Sequence, residues 1–229
     1  MDTLRGLLAR DRRSDYPALR APRGPDHEYD YRRLLTNAWK TGNFLSHCGV
    51  RSGRTVGIAG RRPAAVLAFL GTASLGGVAR FDPPASIDAR AVVAPVGGID
   101  AFELPPGGTH VAYGDPPDDP DVAHFERDVW SENPTEPPDE VAPDDPGLRT
   151  HSHARLLDAA DGVGDRWGLD DGCAVALRAP LTHPGTVIAA VAALAVEGCV
   201  VLGDGSDADY AVATDDVPGT RVLSPDDVV

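Results

Sequence analysis

The sequence predicts an α/β fold, written twice: two similar α/β/α units with mostly parallel sheets. Three observations predict it. Residues 31–82 run helix, turn, strand, helix, strand, and residues 152–204 repeat that order. The echo continues past those segments, because Ala91-Val-Val-Ala94 answers Asp209-Tyr-Ala-Val-Ala213 and Gly108-Thr-His-Val-Ala112 answers Gly219-Thr-Arg-Val-Leu223. A period near 115 residues is too long for a solenoid repeat, which leaves a duplicated unit. Finally, α and β segments alternate, as in a parallel sheet covered by helices. The expected organisation is a first unit over 1–114, an acidic Pro-rich connector over 115–146 and a truncated second unit over 147–229. The two units are expected to face each other across a crevice.

The elements follow in order. Residues 1–28 read as a short amphipathic helix and then a Pro/Gly-rich loop. Residues 30–47 place Leu34, Leu35, Ala38, Trp39 and Leu45 near helical spacing, and Gly49 supplies the stop. The strand at 55–59 is apolar on both faces, as a central parallel strand should be. Pro63 opens the next helix where its missing N–H costs nothing, and the almost wholly apolar run 64–75 packs deep before Gly76-Gly77 ends it. Residues 115–146 hold eight prolines, 12 acidic residues and one basic residue. Such a stretch reads as a connector, disordered in part, with Phe125, Val129 and Trp130 docking one patch on the body. Ser152 is the expected N-cap of a helix reaching Trp167. Strand 173–177, an apolar helix and the strand Gly198-Cys-Val-Val-Leu202 follow.

Composition narrows the function. A 229-residue chain buries roughly 70% of its unfolded surface and needs no disulfides. Cys48, Cys173 and Cys199 form neither an even framework nor a metal spacing, so they read as buried apolar residues in a reducing compartment. No secretory signal is visible, and no run approaches the ~20 apolar residues of a membrane span. A cytoplasmic protein that contacts no membrane is expected. The net charge is −14, with +5 over residues 1–110. The total argues against nucleic-acid binding, which phosphate contacts dominate, while the basic half can accept an anion. Lys40 is the sole lysine among 21 basic residues, and Asp outnumbers Glu 28 to 7. That bias suits a GC-rich genome or a halophile.

Both copies resemble the N-terminal region of the adenylate-forming (AMP-binding, acyl-CoA synthetase-like) superfamily, acetyl-CoA synthetase-like proteins included. Asp30-Tyr-Arg-Arg-Leu-Leu35 is similar to that family's opening helix. Gly49-Val-Arg-Ser-Gly-Arg-Thr-Val-Gly-Ile58 is similar to its "G-V-x-x-G-D-x-V-A-I". Ala68-Phe-Leu-Gly-Thr-Ala-Ser-Leu-Gly-Gly-Val-Ala-Arg-Phe-Asp-Pro83 follows its next motif, and Pro180-Leu-Thr-His-Pro-Gly185 its "P-L-x-H-x-x-G". The helix Leu35-Thr-Asn-Ala-Trp-Lys-Thr-Gly-Asn-Phe-Leu45 also resembles short stand-alone proteins distantly similar to those synthetases. The resemblance implies a phosphate loop, "T-S-G-T-T-G-x-P-K-G", between Pro146 and Ser152. Here Gly147-Leu-Arg-Thr-His151 runs straight through, without loop or lysine. The family's later nucleotide motifs and its small domain with the catalytic lysine find no counterpart in these residues either.

The candidate groups carry two readings each. Arg61-Arg62, after the first copy's strand and before Pro63, lie where open α/β sheets bind anions, or else form a solvated turn. Arg178, Thr182 and His183 hold the equivalent place in the second copy, and the resemblance sets His183 beside an acyl pocket; the alternative is a helix-terminal histidine without chemistry. His151 and His153 flank the cap without a third metal ligand, and Lys40 reads as a surface helix lysine. The expected function is a non-catalytic, synthetase-like protein binding an acyl, nucleotide or CoA-like anion at Arg61, Arg62, Arg178, Thr182 and His183. The alternative is a structural or regulatory subunit that docks a separate chain or a second copy. No catalytic residue, metal or cofactor is expected.

Overall fold

The computed structural model describes residues 1–22, 28–149, 151–203, 208–215 and 221–228. Residues 23–27, 150, 204, 219, 220 and 229, on which parts of the sequence reading fell, lie outside the described residues. In chain order the elements are β1 (Pro17–Arg20), β2 (Glu28–Asp30), α1 (Tyr31–His47), β3 (Thr55–Ile58), α2 (Pro63–Ser74), β4 (Val78–Phe81), β5 (Ala91–Pro95) and β6 (Thr109–Tyr113). There follow β7 (Ala123–His124), α3 (Phe125–Trp130), β8 (Pro146–Leu148), β9 (His151–Ser152), α4 (His153–Trp167), β10 (Ala174–Leu177), α5 (Pro184–Ala195), β11 (Cys199–Leu202), β12 (Tyr210–Val212) and β13 (Arg221–Leu223).

The compact units are not the expected consecutive halves. A central unit holds residues 36–60 and 64–153, and a terminal unit holds residues 1–35, 61–63 and 154–229. Each has one mostly parallel sheet. The central sheet runs β7-β6-β5-β3-β4-β8-β9 and the terminal sheet β13-β12-β10-β11-β1-β2. Aligning β3 with β10 aligns the other strands, except β7, which has no counterpart among the described residues. β4 matches β11, β5 matches β12 and β6 matches β13. The antiparallel hairpin β8–β9 extends the central sheet from β4 as the hairpin β1–β2 extends the terminal sheet from β11. Each hairpin leads directly into the first helix of a copy, β2 into α1 and β9 into α4. The two copies have therefore exchanged hairpins: each supplies the one that completes the other's sheet.

Backbone hydrogen bonds repeat with the same order. Gly53 N–H donates to Gly76 O at 2.8 Å and Gly172 N–H to Glu197 O at 3.4 Å. Val78 N–H donates to Arg54 O at 2.9 Å and Cys199 N–H to Cys173 O at 2.7 Å. After α2, Gly77 N–H reaches back to Thr72 O at 3.0 Å; after α5, Gly198 N–H reaches Ala193 O at 2.9 Å. Both are the six-to-one bond of a left-handed helix stop. Equivalent residues sit about 120 apart, slightly beyond the sequence period.

Local chemistry accounts for the elements. Asp30 accepts from Arg33 N–H at 2.6 Å and caps α1. Val56 and Ile58 in β3 are fully buried between β4 and β5. Pro63 begins α2, and every residue from Ala64 to Ser74 is buried. The two helices α1 and α2 touch through glycines: a Cβ on Gly71 would lie 2.8 Å from Thr41 Cγ2 and 2.9 Å from Gly42 N. Tyr31 joins the terminal unit, donating from its buried hydroxyl to Gly198 O at 2.7 Å.

Other expectations need correction as well. Residues 17–20 and 28–30 form the antiparallel pair β1–β2 where a loop was expected; these strands are four and three residues long, too short to show a period. The N-terminal helix is a pair of 3₁₀ turns, Leu4–Leu8 and Arg10–Arg12. Residues 115–146 belong to the central unit and carry β7 and α3. Phe125 and Val129 are buried as expected, but Trp130 is 72% exposed. One face of α1 clasps this segment. Lys40 Nζ donates to Trp130 O at 2.6 Å and lies 5.1 Å from the ring centroid. Asn43 Nδ2 donates to Asn133 O and Thr135 O at 3.1 and 2.8 Å, and His47 meets Glu132 at 3.0 Å. Their i, i+3, i+7 spacing puts all three on one stripe. Among the described residues no helix is long and apolar enough to cross a membrane.

Candidate functional site

The sequence-selected groups of the terminal unit gather where β10 ends and α5 begins. Arg178 follows β10; its backbone N–H donates to Val212 O at 2.9 Å, and Ala179 N–H shares that carbonyl at 2.8 Å. The Arg178 side chain is half-buried, and its Nε is buried without a hydrogen-bond partner. Arg61 is exposed and lies in the same unit. Its Nη2 donates to Leu177 O at 2.7 Å and to Arg178 O at 2.9 Å. The structure thus brings Arg61 to the C-terminal end of β10, beside Arg178. Arg62 and Thr182 are exposed.

His183 has a defined job. It is the N-cap of α5, with extended φ −88° and ψ 125°, and Pro184 takes the first helical position. Its Nδ1 accepts from Gly185 N–H at 3.1 Å. The proton therefore resides on Nε2, which donates to Asp226 Oδ1 at 3.0 Å. Asp226 is 85% exposed, so the pair itself contributes little stability. It belongs to a short 3₁₀ turn, Pro225–Asp227, capped by Ser224 Oγ accepting from Asp226 N–H at 3.3 Å. The sequence reading missed Asp226. The Ser-Pro-Asp-Asp run does announce a capped turn, but nothing local announces that it meets His183, 43 residues earlier.

The segment from Pro146 to Ser152 lies in the central unit. Leu148 pairs with His151 across β8 and β9, so only residues 149 and 150 connect the strands. Arg149 there has φ +50°, a conformation side chains adopt at a cost. His153 follows, fully buried, and burial holds its imidazole below the usual histidine range while Asp145 opposes the shift. All three cysteines are pushed up to about 11 by burial, which leaves none as a thiolate nucleophile at neutral pH. Among the described residues no three His, Cys, Asp or Glu side chains cluster to hold a metal ion.

No family model matches the sequence, and no curated protein matches it. Solved structures do. The N-terminal domain of FACL13 from Mycobacterium tuberculosis superposes with TM-score 0.72 at 17% identity, over 88% of this chain and 57% of that one. The anthranilate CoA ligase AuaEII, in complex with anthranoyl-AMP, gives 0.73 at 20%, over 89% of this chain and 44% of that one. Apo MatB from Rhodopseudomonas palustris gives 0.71 at 15%, over 92% and 49%. The chain spans about half the length of these proteins. It has the α/β fold of the N-terminal region of acyl-CoA synthetases, two mostly parallel sheets with their helices, as the sequence motifs led one to expect.

Proposed function

We propose that this chain keeps the N-terminal scaffold of the adenylate-forming enzymes without their power to activate a carboxylate, and that it binds a small anion of acyl, nucleotide or CoA type. One observation carries the loss of catalysis: the strands β8 and β9 are joined by two residues. A phosphate loop supplies backbone N–H groups, hydroxyls and a lysine to the triphosphate. Removing one preorganised donor costs ~3 kcal/mol, or ~10²-fold or more in rate. Two residues cannot replace several such donors.

The ligand side of the reading rests on Arg61, Arg62, Arg178, Thr182 and His183. Arg61 is pinned by one nitrogen to two carbonyls, which fixes a guanidinium that carries three further N–H donors. Arg178 Nε lies buried without a partner. AuaEII holds anthranoyl-AMP, an acyl group joined to a nucleotide, and that ligand class fits a cationic strand end. Thermal shift against ATP, AMP, CoA and acyl-CoA tests the reading. A ligand at 100 times its Kd stabilises by about 2.7 kcal/mol; no shift with any of them at millimolar concentration refutes it.

A second reading, a structural or regulatory subunit docking a partner chain or a second copy, is favoured by β13, the three-residue edge of the terminal sheet. Light scattering and pull-down from native extract separate it from the first. Under either reading the protein works in the cytoplasm, away from nucleic acid and membranes.

A further inference from the structure

The two copies carry opposite charges at equivalent points of the same backbone. Before β3, Arg54 N–H donates to Arg51 O at 2.9 Å; before β10, Cys173 N–H donates to Asp170 O at 3.3 Å. Arg51 and Ser52 therefore answer Asp170 and Asp171. Nearby, Thr109 N–H donates to Arg90 O at 3.0 Å and Arg221 N–H to Asp209 O at 3.4 Å, so Arg90 answers Asp209. In each sheet these residues lie at the N-terminal ends of the parallel strands. The central unit carries seven basic against 16 acidic residues, yet three of the seven, Arg51, Arg54 and Arg90, meet at this one end. Arg51 and Arg54 are exposed and Arg90 is half-buried. The charges are held in place. Arg51 Nη1 donates to Ser46 O at 2.7 Å and to Val50 O at 2.6 Å. The Arg90 guanidinium sits between two turns: a Cβ on Gly49 would lie 3.5 Å from its Nε, and one on Gly107 3.6 Å from its Nη1. At the terminal end Asp170, Asp171 and Asp209 are exposed, and Asp209 Oδ2 accepts from Ala174 N–H at 2.8 Å. Among the described residues none of these six side chains forms an ion pair. Neighbours of the opposite sign are engaged elsewhere. Asp145 Oδ2 accepts from Ala142 N–H at 2.9 Å, and Arg221 Nη1 donates to Trp167 O at 3.4 Å.

We propose that these two ends are the halves of a self-association surface: the Arg51, Arg54 and Arg90 end of the central unit docks the Asp170, Asp171 and Asp209 end of the terminal unit of a second copy of this chain. The inference rests on the subunit reading above and fixes its partner and its surfaces. A second copy is the occupant because each chain carries both the patch and its complement. Where equivalent surfaces meet about a two-fold axis, residues near the axis face their own equivalents. Two central ends would then set arginine against arginine, and two terminal ends aspartate against aspartate. A central end against a terminal end sets opposite charges together, so charge selects that pairing and rejects the other two. Arginine suits the task, because its planar guanidinium takes a carboxylate with two parallel N–H bonds. Exposed pairs contribute little each, so the association is weak and falls with salt.

The test is sedimentation velocity on the full chain, up to millimolar protein, at about 0.1 M and about 1 M sodium chloride, between which the screening length falls from about 10 Å to about 3 Å. Wild type should associate, with an apparent Kd roughly tenfold higher at the upper salt, three exposed pairs at a few-fold each. Two double variants follow, one with Arg51→Asp and Arg54→Asp, the other with Asp170→Arg and Asp171→Arg. All four side chains are exposed, and circular dichroism checks that the fold is kept. Each variant alone should associate roughly tenfold more weakly than wild type. Their equimolar mixture should recover association, because one then offers only acidic ends and the other only basic ones. Association of wild type that ignores salt and both variants overturns the inference and leaves the subunit reading with another surface. A mixture that associates no better than its components overturns it likewise. A monomer at every concentration overturns it too; the subunit reading then stands only if the pull-down from native extract captures a separate chain. Should one variant not fold, the other together with the salt dependence of wild type decides.

Discussion

Gly76 and Glu197 occupy equivalent positions after α2 and α5, and both are left-handed, with φ +65° and +59°. Opposite substitutions there should have opposite effects. At Gly76 a methyl group would sit 3.4 Å from Asp145 Oδ2 and from Ser52 Cβ, which is ordinary contact. The cost of Gly76→Ala is therefore conformational, about 1–2 kcal/mol for a left-handed L-residue, less the ~0.5–1 kcal/mol by which alanine restricts the unfolded chain. The net is a loss of about 1 kcal/mol. Glu197→Gly reverses both terms and should stabilise by about 0.5–1 kcal/mol. For a chain of this length 1 kcal/mol moves Tm by about 2–4 °C. Urea unfolding of both variants, fitted with a common slope, reads the difference. If both destabilise, or Glu197→Gly does nothing while Gly76→Ala costs its full share, the two helix stops are not equivalent and the duplication argument fails at its sharpest point.

Other expectations follow from the same contacts. Tyr31→Phe leaves Gly198 O without its 2.7 Å donor and should cost about 1–2 kcal/mol in calorimetry, whereas Tyr16→Phe, 66% exposed, should cost nothing measurable. Gly42→Ala would place a methyl group 2.6 Å from Ser74 Oγ and 2.8 Å from Pro137 Cγ; we expect a loss of about 1–3 kcal/mol from overpacking, read in the same urea assay. His153 is held neutral by burial, so the unfolded chain takes its proton first. Its contribution is fully present above the unfolded pKa near 6.5 and declines as pH falls below it, towards the lowered folded value. Imidazole NMR should show His153 titrating at a pH below the usual histidine range; an ordinary titration would remove this source of acid sensitivity.

The fold was legible where one residue pattern had one structural meaning. The apolar run from Ala64 could only be a buried helix, and Val56 and Ile58 could only sit mid-sheet. The hairpins were not legible, because β8 and β9 are three and two residues long and derive their pairing from a sheet assembled elsewhere in the chain. Their exchange explains why consecutive boundaries at 114 and 147 did not describe the compact units. The acidic segment read as a connector by composition, yet Lys40, Asn43 and His47 hold it; each is polar, and only their shared helical face gives the stripe away. At the site, the positions of Arg61, Arg178 and His183 followed from the strand-to-helix pattern. Their partners did not: Leu177 O is 116 residues from Arg61.

The most direct test is ATP–pyrophosphate exchange by the 229-residue chain with magnesium and a broad panel of carboxylic acids. The two-residue link between β8 and β9 predicts no exchange above a protein-free control with any acid. Saturable exchange with even one acid would show that the chain cradles the triphosphate after all and would contradict the account.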